Sequence, residues 1–262
     1  MGGHAVRHYG IDRNTYDFDF HVSIEQAEEL LGLLRRTNFG CQTDLKEVAT
    51  WRPADFRRFQ IGVLPGGKEE WLEFWFRNHL LAPFPTLYER REETIQQDLR
   101  LDYLSLSDLI HSKETERDDD WADVRLLEEI LDARHLSAGT SLAERRQALS
   151  QLRSRRGFER AETMGLLKKA SILEEAIQMA VHPVTQAYLL PFVPNAKTQH
   201  SALLSDPALD SILRRLQPGS VRHLAVVEAV RLAYQRAAKA ADRADKERQQ
   251  AQTRAPGIER PE

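Results

Sequence analysis

The chain has 262 residues, 41% of them hydrophobic and 29% charged, with a formal net charge of −3. That length holds one large domain or a smaller one with a helical extension, and the charge excludes global steering toward nucleic acid while leaving local patches open. A single cysteine, Cys41, excludes an intrachain disulfide, and there is no visible secretory leader or apolar run of membrane-spanning length, so the expectation is a cytoplasmic protein that stays off membranes.

Gly2 and Gly3 open the chain, where two residues without side chains let backbone approach a phosphate closely. A short helix through Tyr9, ended by Gly10, is expected next. The run Tyr16-Asp-Phe-Asp-Phe-His-Val22 then alternates with the period of a strand. Asp17, Asp19 and His21 share one face; Tyr16, Phe18, Phe20 and Val22 share the other and are expected to enter a core. Two like charges on one half-buried face repel, and a divalent cation such as Mg²⁺ is one physical reason to keep them together. His21 on that face reads as a surface residue rather than a ligand.

Ser23 and Gln26 form a capping box, followed by a helix on Ile24, Ala27, Leu30, Leu31 and Leu34 that ends near Gly40. Residues 57–64 and 69–76 are strand-like and flank Pro65-Gly-Gly-Lys68, which predicts a β-hairpin. Leu80 to Pro85 is expected as a loop, residues 88–99 as a short helix or a strand, and Leu101–Leu104 as one more strand. Ser105 or Ser107 caps a helix carrying Leu109 and Ile110, and Trp121, Val124, Leu127 and Leu131 mark another.

From about Ala133 strand signals fade, and helices are expected at 141–153, 158–181, 207–216 and 221–245, with a loop from His182 to His200. The end of the chain, polar and rich in glutamine, is expected to be disordered. The stretch from Gly139 to Ala170 holds eight basic residues against three acidic ones, among them Arg145, Arg146, Arg153, Arg155 and Arg156. Without interleaved aromatics it reads as a solvated basic face before it reads as a nucleic-acid patch. Trp51, Trp71, Trp75 and Trp121 read as core aromatics rather than a base-stacking platform.

Taken together, Gly2-Gly3-x-Ala5, Tyr9-Gly10 and Arg13-x-Thr15-x-Asp17-x-Asp19 resemble the signature of the polymerase-beta-type nucleotidyltransferases, especially the bacterial abortive-infection and type IV toxin-like proteins. A second block, Leu104-Ser-x-x-Asp108-Leu-Ile-x-x-Lys113 with Arg117, Asp120 and Asp123, is similar to another pattern of that family. The resemblance implies an α+β nucleotidyltransferase fold, a mixed sheet flanked by helices, over residues 1–133. A helical region at 134–242 and a disordered tail at 243–262 complete the expected organisation.

It also implies Mg²⁺-dependent transfer of a nucleoside monophosphate from an NTP such as ATP to a tRNA or protein hydroxyl, with a cognate toxin or antitoxin as a further partner. Asp17 and Asp19 would be the metal ligands and Glu73 the third carboxylate or base, the alternative for Glu73 being an ordinary edge glutamate. Gly2, Gly3, Arg13, Thr15 and Lys113 would line the nucleotide, with Arg13 either touching phosphate or bracing the carboxylates. Two positions depart from the family pattern: Glu73 stands where aspartate is commoner, and Asp119 where lysine is frequent. The alternative they favour is a catalytically inactive binding or regulatory module of the same fold. In the family an apolar strand precedes the glycine pair, so a further expectation is that Met1 is an internal methionine of a longer natural protein.

Overall fold

The structure is a computed structural model that describes residues 1–37, 45–50, 54–139, 141–193 and 207–254. Trp51, Cys41, the helix end expected at Gly40, residues 194–206 and residues 255–262 lie outside the described residues. Contacts divide the chain into two units, one of Met1–Glu114 with the described residues from Lys246, the other of Thr115–Asp245.

In the first unit, helix α1 (Gly2–His8) leads into strand β1 (Asp17–His21), and α2 (Ile24–Thr37) follows behind the expected Ser23–Gln26 capping box. Strands β2 (Lys46–Val48), β3 (Phe56–Val63) and β4 (Glu69–Trp75) complete a four-stranded sheet in the order β1-β4-β3-β2. The hairpin at Pro65–Lys68 is present, because Gly66 and Gly67 supply the positive φ angles of 98° and 80° that its turn needs. β1 runs parallel to β4, whereas β3 is antiparallel to both its neighbours, so the sheet is mixed.

One face of this sheet packs through Phe59, Leu72 and Phe74 on Ala27 and Leu31 of α2. Phe18 and Phe20 point to that side but remain 37% and 41% exposed, which corrects the expectation that they enter a core. β1 is the sheet's edge, and Phe18 stacks on His4 while Phe20 leans on Phe74. Asp17, Asp19 and His21 are the half-buried residues of this strand.

The loop expected at Leu80–Pro85 is shorter, because α3 (Phe84–Glu89) begins there with Pro85 in its first turn, where a missing N–H costs nothing. β5 (Glu92–Gln96) and β6 (Leu99–Tyr103) form a separate hairpin whose two turn residues, Gln97 and Asp98, both have positive φ. α4 (Leu106–Ser112) follows, with Ser105 accepting a hydrogen bond from the Asp108 amide.

The second unit is helical. It holds α5 (Asp118–Ala138), α6 (Leu142–Gln151), α7 (Arg155–Thr163), α8 (Ala170–Met179), α9 (Pro183–Leu189), α10 (Pro207–Arg215) and most of α11 (Val221–Arg254). Its core gathers Leu149, Leu152, Phe158, Ile172, Leu189 and Leu190 among others. The single helix expected at 158–181 is two, broken at Gly165, whose φ of 71° is left-handed. The loop expected from His182 contains α9, since Pro183 occupies the first helical position rather than breaking a helix. α11 continues beyond Asp245 to Arg254. Among the described residues no helix is long and apolar enough to cross a membrane.

Several residues of the basic stretch are matched by acids. Arg146 pairs with Glu175, Arg155 with Glu159 and Arg156 with Glu129.

Asp132 joins α5 to the start of α7. Its carboxylate is 1% exposed and accepts from the Arg153 amide (3.1 Å), the Ser154 amide (2.7 Å) and the Ser154 hydroxyl (2.6 Å). Gly157 lies against it: a Cβ there would stand 2.2 Å from Asp132 Oδ2 and 2.7 Å from its Cγ. With the carboxylate tied by three donors it has nowhere to move, so Gly157→Ala is expected to lower stability by about 1–3 kcal/mol, measured by urea unfolding. Burial pushes the Asp132 carboxyl up to about 7 against the pull of the Ser154 and Arg153 hydrogen bonds. A carboxyl whose folded value exceeds its unfolded one adds stability below the unfolded value and loses it as pH rises through the folded one. The wild-type unfolding free energy should therefore fall more steeply between pH 4 and pH 7 than that of Asp132→Asn.

Candidate functional site

The face of the four-stranded sheet opposite α2 carries polar and aromatic side chains from three strands. The parallel register sets Asp17 beside Trp71, Asp19 beside Glu73 and His21 beside Trp75. On the other side of β4, Arg58 lies opposite Glu73 and Gln60 opposite Trp71. Because residues two apart share a face, Asp19, Glu73 and Arg58 form a row across three strands.

Glu73 is buried, at 7% exposure, and is held from two directions. Arg58 Nε donates to its Oε1 at 2.6 Å and Trp75 Nε1 to its Oε2 at 3.2 Å. Arg58 in turn lies over the Trp71 ring, 4.7 Å from its centroid, and Trp75 stacks on Phe56. Trp71 and Trp75 are thus half-buried residues of the polar face, not residues of the α2-facing core. Trp121 does belong to a core, donating through Nε1 to the Thr115 carbonyl.

Asp19 meets Glu73 within hydrogen-bonding reach, and burial followed by the Glu73 charge raises its carboxyl to about 6. The Met1 ammonium counters part of that rise, and the Lys113 ammonium, on a side chain only 5% exposed at the end of α4, a smaller part. Gly2, at a φ of 67°, packs directly on Asp19: a Cβ at Gly2 would stand 1.8 Å from Asp19 Oδ2. A Cβ at Gly3 would stand 2.3 Å from Thr15 Oγ1. Thr15 also donates weakly to the Asp17 carbonyl at 3.5 Å.

Of the residues the sequence singles out, Asp19, Glu73, Lys113 and Gly2 come together, with Gly3 and Thr15 in contact alongside. Asp17 sits on the same face one register pair away, opposite a tryptophan rather than a carboxylate. Arg13 is half-buried in the segment between α1 and β1. Among the described residues no group of three or more His, Cys, Asp or Glu side chains is arranged to hold a metal ion. His21 is not the surface residue expected: both its ring nitrogens are shielded from solvent without a hydrogen-bond partner, and burial pushes its imidazole down to about 4.

In the second block, Asp108 receives both Arg90 Nε (2.7 Å) and Arg90 Nη2 (2.6 Å), a structural clamp. Asp120 accepts from Arg117 Nε (2.8 Å) and from Thr115 Oγ1 (2.6 Å). Asp119 is exposed.

Arg58 escaped the sequence reading. Counting back from the Val63–Glu69 pair would set Phe59 opposite Glu73, but a bulge between Gln60 and Gly62 shifts the register by one and brings Arg58 there instead. Gly62 inside the strand was the one available signal, since an isolated strand glycine often marks a bulge.

Compared with known proteins, the chain matches no family model, no curated protein and no solved structure.

The Arg58–Glu73 pair yields a direct test. Arg58→Ala removes the main counter-charge from a buried carboxylate beside a second one, and the guanidinium is itself 38% exposed, so the expected loss is about 1–2 kcal/mol. Adding Glu73→Gln to that variant removes the stranded charge and should restore most of the loss. A double-mutant cycle by urea unfolding reads both effects.

Proposed function

We propose that this sheet face carries out Mg²⁺-dependent nucleotidyl transfer on a nucleotidyltransferase-type α+β domain, moving a nucleoside monophosphate from an NTP to an acceptor hydroxyl. The observation that carries the reading is the pairing of Asp19 with Glu73 on adjacent parallel strands, under the bare backbone of Gly2 and beside the Lys113 charge. Like-charged carboxylates forced together, with Asp19 raised to about 6, make a donor set whose chemistry gains from a cation. Mg²⁺ suits it: the ion prefers carboxylate oxygen, keeps several waters and needs only one or two protein carboxylates. Asp19 and Glu73 would hold it as the adjacent pair, with Asp17 the further carboxylate on the same face of β1. Bound there, the ion would neutralise the charge that builds on the phosphate oxygens during transfer.

The chain's own residues do the rest. Gly2 and Gly3 serve by having no side chains, which lets their backbone pack directly against Asp19 and Thr15. Lys113 offsets triphosphate charge. Arg58 and Trp75 fix the carboxylate of Glu73, and Arg13 and Thr15 border the strand that carries the aspartates. The acceptor in this reading is a tRNA end or a protein hydroxyl, in a toxin–antitoxin or phage-defence setting.

One observation favours a second reading, an inactive binding or regulatory module. Glu73 already has a guanidinium partner, as a carboxylate relieved of a metal would.

Incubation with α-phosphate-labelled NTPs, Mg²⁺ and either total tRNA or cell lysate separates the two. Label on RNA or protein is expected, falling at least about 100-fold in Asp19→Asn and Asp17→Asn. Absence of label with every NTP and both acceptors would leave the binding-module reading.

A further inference from the structure

Within the helical unit a cavity of about 570 Å³ opens among α5, α7, α9 and α11. That volume falls in the range of small-molecule sites, about 300–1,000 Å³. Part of its wall is apolar: Phe158 and Tyr188, whose stacked rings lie 3.8 Å apart, with Leu224 and Val227 beside them.

The rest of the wall is charged, and its charges are unevenly matched. Three arginines face five glutamates. Arg231 pairs with Glu128 at 2.7 Å, Arg155 with Glu159 at 2.8 Å and Arg125 with Glu228 at 3.2 Å. Glu129 is taken by Arg156 at 2.9 Å. Glu162 is left over: among the described residues it has no cationic partner. Its charge acts on the cavity wall, since Glu162 and Glu159 add to burial in raising the Tyr188 hydroxyl. An anion would find every guanidinium of the lining already engaged and a carboxylate surplus facing it. A cation finds the reverse, an apolar surface for its body and, at the rim, one exposed carboxylate with no cationic partner among the described residues.

We propose that this cavity binds a small organic cation, an amine or guanidinium on a flat apolar body, with the body against Phe158, Tyr188, Leu224 and Val227 and the charge at Glu162.

Phenethylamine and phenylacetate have the same shape and opposite charge, and isothermal titration of the full chain with each decides the matter. Phenethylamine is expected to bind and phenylacetate not. Glu162→Gln, a change at an exposed side chain, should weaken the amine at least about threefold, while Glu174→Gln, outside the cavity, should leave it unchanged. Equal or tighter binding of phenylacetate, no heat from either probe at millimolar concentration, or amine binding indifferent to Glu162→Gln would each overturn the proposal.

Discussion

The sheet unit depends on the placement of Asp19 beside Glu73. Two carboxylates in adjacent register, both largely shielded from water, repel each other and lack the hydration that would pay for their charge. Four neighbours offset this, one of them the Met1 ammonium, whose charge lowers the Asp19 carboxyl. Arg58 and Trp75 donate to Glu73 from β3 and β4, and Lys113 supplies a positive charge from the end of α4. Because side chains alternate along a strand, slipping β1 by one residue would turn Asp19 toward α2 and replace it with a phenylalanine. Gly2 tightens the constraint, since any larger residue there would collide with the Asp19 carboxylate. The positions of α1, β1, β3, β4 and α4 are thus tied to one electrostatic arrangement.

Comparison with the other buried acids shows why this pair stands apart. Asp108 meets Arg90, Asp120 meets Arg117 and Glu128 meets Arg231, each an ordinary buried carboxylate with a guanidinium. Asp132 instead collects amides and a hydroxyl at the start of α7, a capping role that needs no counter-charge. Asp19 faces a second carboxylate. Structural acids are arranged to relieve their charge, whereas a like-charged pair kept in close register is the pattern expected of a site that handles cations or protons.

Much of this was legible in the sequence, and the failures share a cause. Period-two alternation correctly gave Asp17, Asp19 and His21 a common face, and the Gly66-Gly67 turn gave the hairpin that brings Glu73 alongside. Alternation does not say which face is covered, however. β1 turned out to be an edge strand, so Phe18 and Phe20 stayed partly exposed while the acidic face was the more enclosed. Apolar spacing ran unbroken across Gly165, where a left-handed residue, a 3-10 turn at Leu166–Lys168 and an extended Lys169 separate α7 from α8. The loop expected from His182 hides α9 because a proline is tolerated at a helix's first position, and where a helix begins is not evident from the proline itself. The partnership of Arg58 with Glu73 hung on a single bulge, a one-residue event that residue pattern hardly records.

That partnership also bears on how a clamped carboxylate could serve a cation. Removing Arg58 by mutation strands Glu73, because nothing replaces the lost charge. In the proposed reading, arrival of a divalent ion would be a different exchange, in which the carboxylate trades one positive partner for another. The Arg58 side chain is 38% exposed, so if displaced its guanidinium would regain water at little cost. It also remains within reach of the Trp71 face, over which it already lies. The clamp is therefore compatible with a cation-binding face. It keeps Glu73 ordered beside Asp19, so in the proposed reading less of the binding free energy would go into arranging the carboxylates.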